Sequence, residues 1–357
     1  MSQVPHPCGP MQNVLWMITP VGGKSRRAVA VLAACLLASG CGSGPTAVVP
    51  TTTLGMFDAY WAAFDQTYPY FAFKGVDWSA QRNTYRDQAS RAPSVDSLVQ
   101  LLRAMVAPLN DGHIGFRNPA GSFVGAWTPR GAPNWDVRRW SAVVSAAGWT
   151  QVKVNLGYAR FGDIGYVAIG SWNTSQFSEA DLDGVLATLR TSRALIIDVR
   201  PNGGGNDALA FALTGRFASQ TIAAGSVRFR SGAGLGAPTQ RSVAPRGPWT
   251  WTNPVVLLTG RQCFSSNESF IAAMATLSHV TTLGDTTGGG SGNPETRTLG
   301  AGWSYLLPRW IEYAPDGHVI EWNGIAPRVY TPFDTAGRPL AHDPIIAAAL
   351  QRLGQGA

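Results

Sequence analysis

Residues 194–217 read ALIIDVRPNGGGNDALAFALTGRF, and this stretch decides the fold. Ala194–Val199 is an almost unbroken aliphatic run, the pattern of a strand buried on both faces. Pro201 and the glycines Gly203, Gly204 and Gly205 end it, because glycine opens backbone conformations closed to other residues. Asn206–Phe217 then reads as a helix. Strand, glycine turn and helix in that order make half of a βαβ unit.

The same alternation continues outward. Ile164–Ile169 is a strand on the upstream side. Downstream come a strand at Val255–Leu258, a helix at Glu268–Leu277 and a strand at Val280–Leu283. Asp343 caps a last helix that carries Pro344 in its first turn. The expected fold class is therefore α/β, with a largely parallel sheet of βαβ units covered on its faces. Active groups in such sheets gather at the carboxyl ends of strands. Nearer the N-terminus the pattern is helical. Phe57, Trp61 and Phe64 share one face, and Pro69 ends that helix. A second helix is expected from Asp77 to Tyr85. A third, capped by Ser94, turns Val95, Leu98, Leu102 and Met105 inward. This predicts a small helical unit over 54–118 and an α/β core over 119–357.

Composition narrows the class. Hydrophobic residues make up 45% of the 357 and charged ones 14%, enough apolar material for a sizeable core. The formal charge of +7 falls to +4 without Lys24, Arg26 and Arg27, and there is no basic run. Nucleic acid is not an expected partner. Cys263 is the one cysteine in the body of the chain, so no disulfide is expected there.

The first residues read as an address. Lys24, Arg26 and Arg27 precede the apolar run Ala28–Ala38, too short to span a bilayer. Ser39, Gly40 and Cys41 follow, which resembles a bacterial lipoprotein signal with Cys41 as the lipidated residue, although Ala38 stands where leucine is usual. Residues 1–40 are thus expected to be a signal peptide and 41–53 a flexible tether. Met17 is a second plausible start. Gly42 and Ser43 bring no acid next to Cys41, which points to an outer-membrane lipoprotein facing the periplasm or the exterior; a secreted soluble protein is the alternative.

Three loops carry chemistry-bearing residues. Cys263-Phe264-Ser265-Ser266-Asn267-Glu268 joins a strand to a helix. There a serine hydroxyl points outward and the helix N-terminus supplies N–H groups and positive dipole; alternatively, either serine merely caps the helix. Asp198–Gly205 offers backbone amides that approach closely enough to hold an oxyanion. It lacks the spacing of a nucleotide-binding loop. Asn110-Asp111-Gly112-His113-Ile114-Gly115-Phe116 holds a glycine-flanked histidine; His279, His318 and His342 are its rivals in the mature chain.

Together these motifs resemble the tail-specific, C-terminal-processing serine peptidases, over essentially the whole mature chain. Asp77-Trp78, Asp111-Gly112-His113, Asp198-Val199-Arg200-x-Asn202 with Gly204-Gly205, Phe264-Ser265-x-x-Glu268 and Gly284-Asp285-Thr286-Thr287-Gly288-Gly289 occur in the family's order. The resemblance implies a crotonase- or ClpP-like core, with Ser265 as nucleophile. It implies an oxyanion hole from the backbone N–H of Gly204 or Gly205 and of Ser266. One branch uses a serine–lysine dyad, but Gly290 stands where that lysine would be. The chain's lysines, Lys24, Lys74 and Lys153, all precede Ser265. The tricorn-like branch uses histidine, which matches His113. A glutamate orients that histidine, and the segment Glu321–Pro327 implies Glu321, with Glu312, Asp316 and Asp285 as fallbacks. Ile114 and Gly112 depart from that branch's pattern.

Only 86 residues separate His113 from Arg200, and they include two strands, so the PDZ module of many relatives has no room. Trp127, Trp135, Trp140 and Trp149 in this insert read as core packing or as the lining of a peptide groove. The expected activity is hydrolysis of a peptide or protein substrate, with no cofactor and no metal, and with an oligomeric state the sequence leaves open. Alternatives are a catalytically silent peptide-binding protein on the same fold and a serine esterase, though the G-x-S-x-G elbow is missing.

Overall fold

The computed structural model describes residues 50–125, 127 and 131–354. The expected signal peptide, Cys41 and the tether as far as residue 49 lie outside these residues. The first helix, Thr53–Thr67, begins where the Thr52 hydroxyl accepts the N–H of Gly55, satisfying one of the donors a helix start leaves open. Thr52 and Thr53 therefore belong to the fold rather than to the tether.

The central sheet has seven strands. In spatial order they are Val329–Tyr330, Val280–Gly284, Val255–Thr259, Ala194–Asp198, Ile164–Ile169, Leu156–Phe161 and Thr150–Lys153. The first five run parallel. The last two are an antiparallel extension at one edge, so part of the tryptophan-bearing insert is sheet. Every residue of Ala194–Asp198 and Val255–Thr259 is buried, as continuous aliphatic runs require of central strands. One face carries the helices Glu179–Leu189, Asp207–Thr214 and Ser266–Met274 over a core that includes Leu195, Ile197, Leu257 and Phe270. The other carries Val137–Ala146 and Pro344–Arg352 over Tyr166, Ile196, Val256 and Ile346.

The helical lead-in is completed by Phe71–Lys74, Trp78–Ser90 and Val95–Val106, the last two capped by Asp77 and Ser94. It shares a core with an antiparallel sheet ordered Glu295–Gly300, Trp303–Leu307, Gly115–Arg117, Phe123–Gly125. A third antiparallel group joins Trp310–Tyr313, Ile222–Ser231 and Thr239–Val243. These two sheets were not expected from the sequence. Among the described residues no helix is long and apolar enough to cross a membrane.

Candidate active site

Ser265 stands between the strand Val255–Thr259 and the helix Ser266–Met274. Its backbone has φ 59° and ψ −134°, a conformation that costs a residue with a Cβ energy and persists only where its surroundings hold it. They do so here: the Ser265 N–H donates to the Gly290 carbonyl at 2.9 Å. Its side chain makes no capping bond to the helix. Instead its hydroxyl lies 2.9 Å from Nε2 of His113. The strain therefore turns the hydroxyl away from the helix and toward a base.

His113 is held from several sides. Asp111 accepts the His113 backbone N–H at 2.8 Å, closing the turn. The Phe264 ring stacks on the imidazole with centroids 4.7 Å apart. Gly112 is required beneath that ring, since a Cβ there would lie 2.6 Å from Phe264 Cζ. Burial holds the His113 pKa below its ordinary value; Asp111 opposes this and Lys74 adds to it. A neutral imidazole can accept the serine proton. Nδ1 of His113 is buried and has no hydrogen-bond partner.

The glycine turn is pressed against the serine. A Cβ on Gly204, which has φ +106°, would come within 2.8 Å of Ser265 Cβ. Gly204 spends its N–H on Asn202 Oδ1 at 2.8 Å, so of the two glycines Gly205 is the one that lines the cleft, beside Ser266. The Ser266 N–H is the first of its helix and has no partner within it. Asn202 also accepts the Phe264 N–H through its carbonyl at 3.3 Å. Asn267 bonds the carbonyls of Val199 and Asn202. The two loops are thus laced together.

Glu268 fixes the third wall. Its buried carboxyl takes the Thr287 hydroxyl and the N–H groups of Gly289 at 3.0 Å and Gly290 at 2.7 Å. Burial outweighs those bonds and pushes its pKa up to about 8. At Gly290, where the dyad branch carries lysine, a Cβ would lie 1.8 Å from Phe264 Cζ. The aromatic that supports His113 occupies the space a lysine would need.

Glu321 is brought near His113 but not bonded to it. Its Oε1 is hydrogen-bonded by Lys74 Nζ and its Oε2 accepts the Ser291 N–H at 3.0 Å. Trp322, at φ +68°, lays its ring 4.9 Å from the Lys74 ammonium. Burial and the charge of Asp111 push the Glu321 carboxyl up, against the pull of Lys74. Asp111, His113 and Glu321 have ligating atoms within 4.8 Å of one another, close enough to hold a cation, but the Lys74 ammonium already lies with the two acids. The fallback acids are engaged elsewhere. Glu312 takes Ser269, Ser291 and Arg241, Asp285 takes Arg261, and Asp316 takes His318. Lys74 was not anticipated as a site residue; a lone charge directly after the aromatic run Tyr70–Phe73 was the available signal.

A cleft of about 300 Å³ opens beside Ser265, lined by His113, Gly205, Ser266, Ser269, Ser291 and Glu312 among others. The tryptophans divide. Trp127 packs on Phe264, while Trp135, Trp140 and Trp149 line a separate cleft of about 310 Å³ near Asp198 and Pro201.

A half-buried serine against a histidine whose burial favours its neutral form, beside N–H groups at a helix start and a glycine turn, is an arrangement suited to serine-type hydrolysis. Residues 163–331 match Peptidase family S41 and residues 50–107 match the Tricorn protease C1 domain. Both matches are those of the tail-specific, tricorn-like peptidases, and they make the chain a serine-type peptidase. Among solved structures it is similar to a protein of Parabacteroides merdae ATCC 43184 assigned as a peptidase. The two are 27% identical with a TM-score of 0.75, over 85% of this chain and 98% of that one. Mature CPAF is 12% identical with a TM-score of 0.63, over 85% and 96%. The photosystem II D1 C-terminal processing protease is 17% identical with a TM-score of 0.51, over 83% and 99%. These two speak for the fold alone. No curated protein matches the chain.

Proposed function

We propose that this peptidase cleaves peptide bonds through an acyl-enzyme on Ser265. The observation that carries the reading is the 2.9 Å contact between Ser265 Oγ and His113 Nε2. His113 takes the hydroxyl proton as Oγ adds to the substrate carbonyl. The N–H groups of Ser266 and Gly205 receive the developing oxyanion. The imidazolium then protonates the leaving amine, and a water activated by the same histidine releases the acid product. A fluorophosphonate probe is expected to label the wild type and Ser266→Ala but not Ser265→Ala. Ser265→Ala should lower kcat by up to about 10⁶-fold with little change in Tm. Labelling that survives Ser265→Ala and is lost in Ser266→Ala would move the nucleophile by one residue.

We also propose that the enzyme is exported and held to a membrane by lipid on Cys41. The basic segment, the short apolar run and the small residues before Cys41 support this. On this reading the residues between Cys41 and the Thr52 cap, where the first helix begins, serve as the tether. Wild type is expected to partition into detergent and start at Cys41, whereas Cys41→Ser should be soluble with unchanged specific activity. A soluble wild type with a different N-terminus would leave plain secretion.

A further inference from the structure

Behind His113 lies a closed charge cluster that the steps above do not use. The side chains of Lys74, Asp111 and Glu321 are at most 1% exposed. Lys74 is bonded to Glu321 and lies 3.6 Å from Asp111. Tyr68 donates its hydroxyl to Asp111 Oδ2 at 2.9 Å, and Tyr70 donates to the Ser291 carbonyl at 3.0 Å.

When His113 takes the serine proton it becomes an imidazolium whose Nδ1–H needs an acceptor. Two acids are near enough. Both oxygens of Glu321 are engaged, one by the buried cation and one by Ser291 N–H. Asp111 Oδ1 receives only the backbone N–H of His113, and it lies 4.0 Å from Nδ1. A carboxylate oxygen has room for a second donor. A shift of about 1 Å closes that gap to hydrogen-bond length, and such contacts are often long before substrate binds.

We propose that Asp111 is the residue that positions His113, and that Lys74, by binding Glu321, selects between the two acids. The proposal rests on His113 being the base. With both carboxylates ionised the cluster carries a net charge of −1, which the imidazolium brings to zero. Removing the Asp111 charge leaves the imidazolium uncompensated. Removing Lys74 alone makes the surroundings too negative and favours the imidazolium before reaction begins. The opposing influences of Asp111 and Lys74 on His113 have these signs. Besides Asp111, the titratable and charged groups around His113 are Lys74, Tyr68 and Tyr70 from the lead-in, Glu321 from its loop and, across the cleft, Glu312 and Asp207, both of which are paired with Arg241.

The test reads the His113 titration by NMR in the full chain carrying Ser265→Ala, with the signal assigned by His113→Gln, alongside kcat in the active enzyme. Asp111→Asn should lower the His113 pKa by about one unit or more and kcat by roughly 10²–10⁴-fold. Lys74→Met should raise that pKa. Glu321→Gln alone frees Lys74 to take Asp111, so it should lower both pKa and kcat. Adding Lys74→Met to Glu321→Gln removes a neutral pair, and should recover kcat by about tenfold or more over Glu321→Gln and return the pKa toward wild type. The proposal is overturned if Asp111→Asn leaves both readings unchanged, or if the double variant stays as impaired as Glu321→Gln, which would make Glu321 the acceptor. Should Asp111→Asn fail to fold, the double variant decides. A wild type that hydrolyses no peptide would defeat the peptidase mechanism, while the titration still reports whether Asp111 governs His113.

Discussion

At the scale of single residues, Phe264 does most to set which chemistry this chain can run. It precedes the nucleophile, stacks on the base and fills the space over Gly290. The absence of lysine after Ser265 was legible in the sequence, but the reason a lysine is not tolerated there was not, because it lies in a contact between residues far apart in the chain. Gly290→Lys is therefore expected not to restore hydrolysis to His113→Ala. Forcing a side chain into a filled site costs about 1–3 kcal/mol or more, and here it would also displace the ring that supports residue 113. Thermal unfolding should show a lowered Tm in Gly290→Lys. Recovered activity at alkaline pH would mean that Phe264 can move aside and a dyad can form. Glu321 shows the other limit of sequence reading: its motif brought it to the site, but its partner, Lys74, is 247 positions away.

At the scale of elements, the parallel core was readable because its strands are continuous aliphatic runs followed by glycine turns and helices. Caps were readable for a local reason: Ser94 and Asp343 each bond N–H groups within three residues. The antiparallel sheets were missed because Ile222–Ser231 and Glu295–Gly300 are interrupted by polar residues; the hairpin of Glu295–Gly300 with Trp303–Leu307 is local, but the pairings that build the sheets, Trp303–Leu307 with Gly115–Arg117 and Trp310–Tyr313 with Ile222–Ser231, span long separations. They matter to the site, since Glu312 comes from one of their strands. Between core and site the link is Glu268, which ties the nucleophile's helix to the loop whose Gly290 carbonyl accepts Ser265 N–H. Glutamine at 268 offers one acceptor oxygen where Gly289 and Gly290 donate to two, so either orientation of the amide releases one N–H. Glu268→Gln is expected to lower kcat about 10²-fold, the order of loss from a displaced reacting group, with a smaller change in KM. An unchanged kcat would show that the strained Ser265 backbone is held without this loop.

At the scale of the whole molecule, activity and stability should respond to pH in opposite directions. Activity follows the neutral form of His113, whose pKa burial holds below the ordinary 6.5, so the rising limb is expected below that pH with a plateau above it. Stability follows groups whose proton affinity changes on folding. Glu268 binds its proton more tightly when folded, with a pKa of about 8 against an ordinary 4.5. Its contribution is complete below about pH 4.5 and is lost as pH rises toward 8, at no more than about 1.4 kcal/mol per pH unit. His113, with its pKa depressed, contributes oppositely: its share is present above 6.5 and is lost as pH falls through its folded value. Between pH 6.5 and 8 Glu268 is therefore the group that changes most, and Tm should fall across that window while kcat stays level. Glu268→Gln removes it and should flatten the slope. A Tm that holds or rises from pH 6.5 to 8, or a slope unaltered by Glu268→Gln, would show that the Glu268 carboxyl is already ionised in the folded enzyme at neutral pH, with its hydrogen bonds outweighing burial.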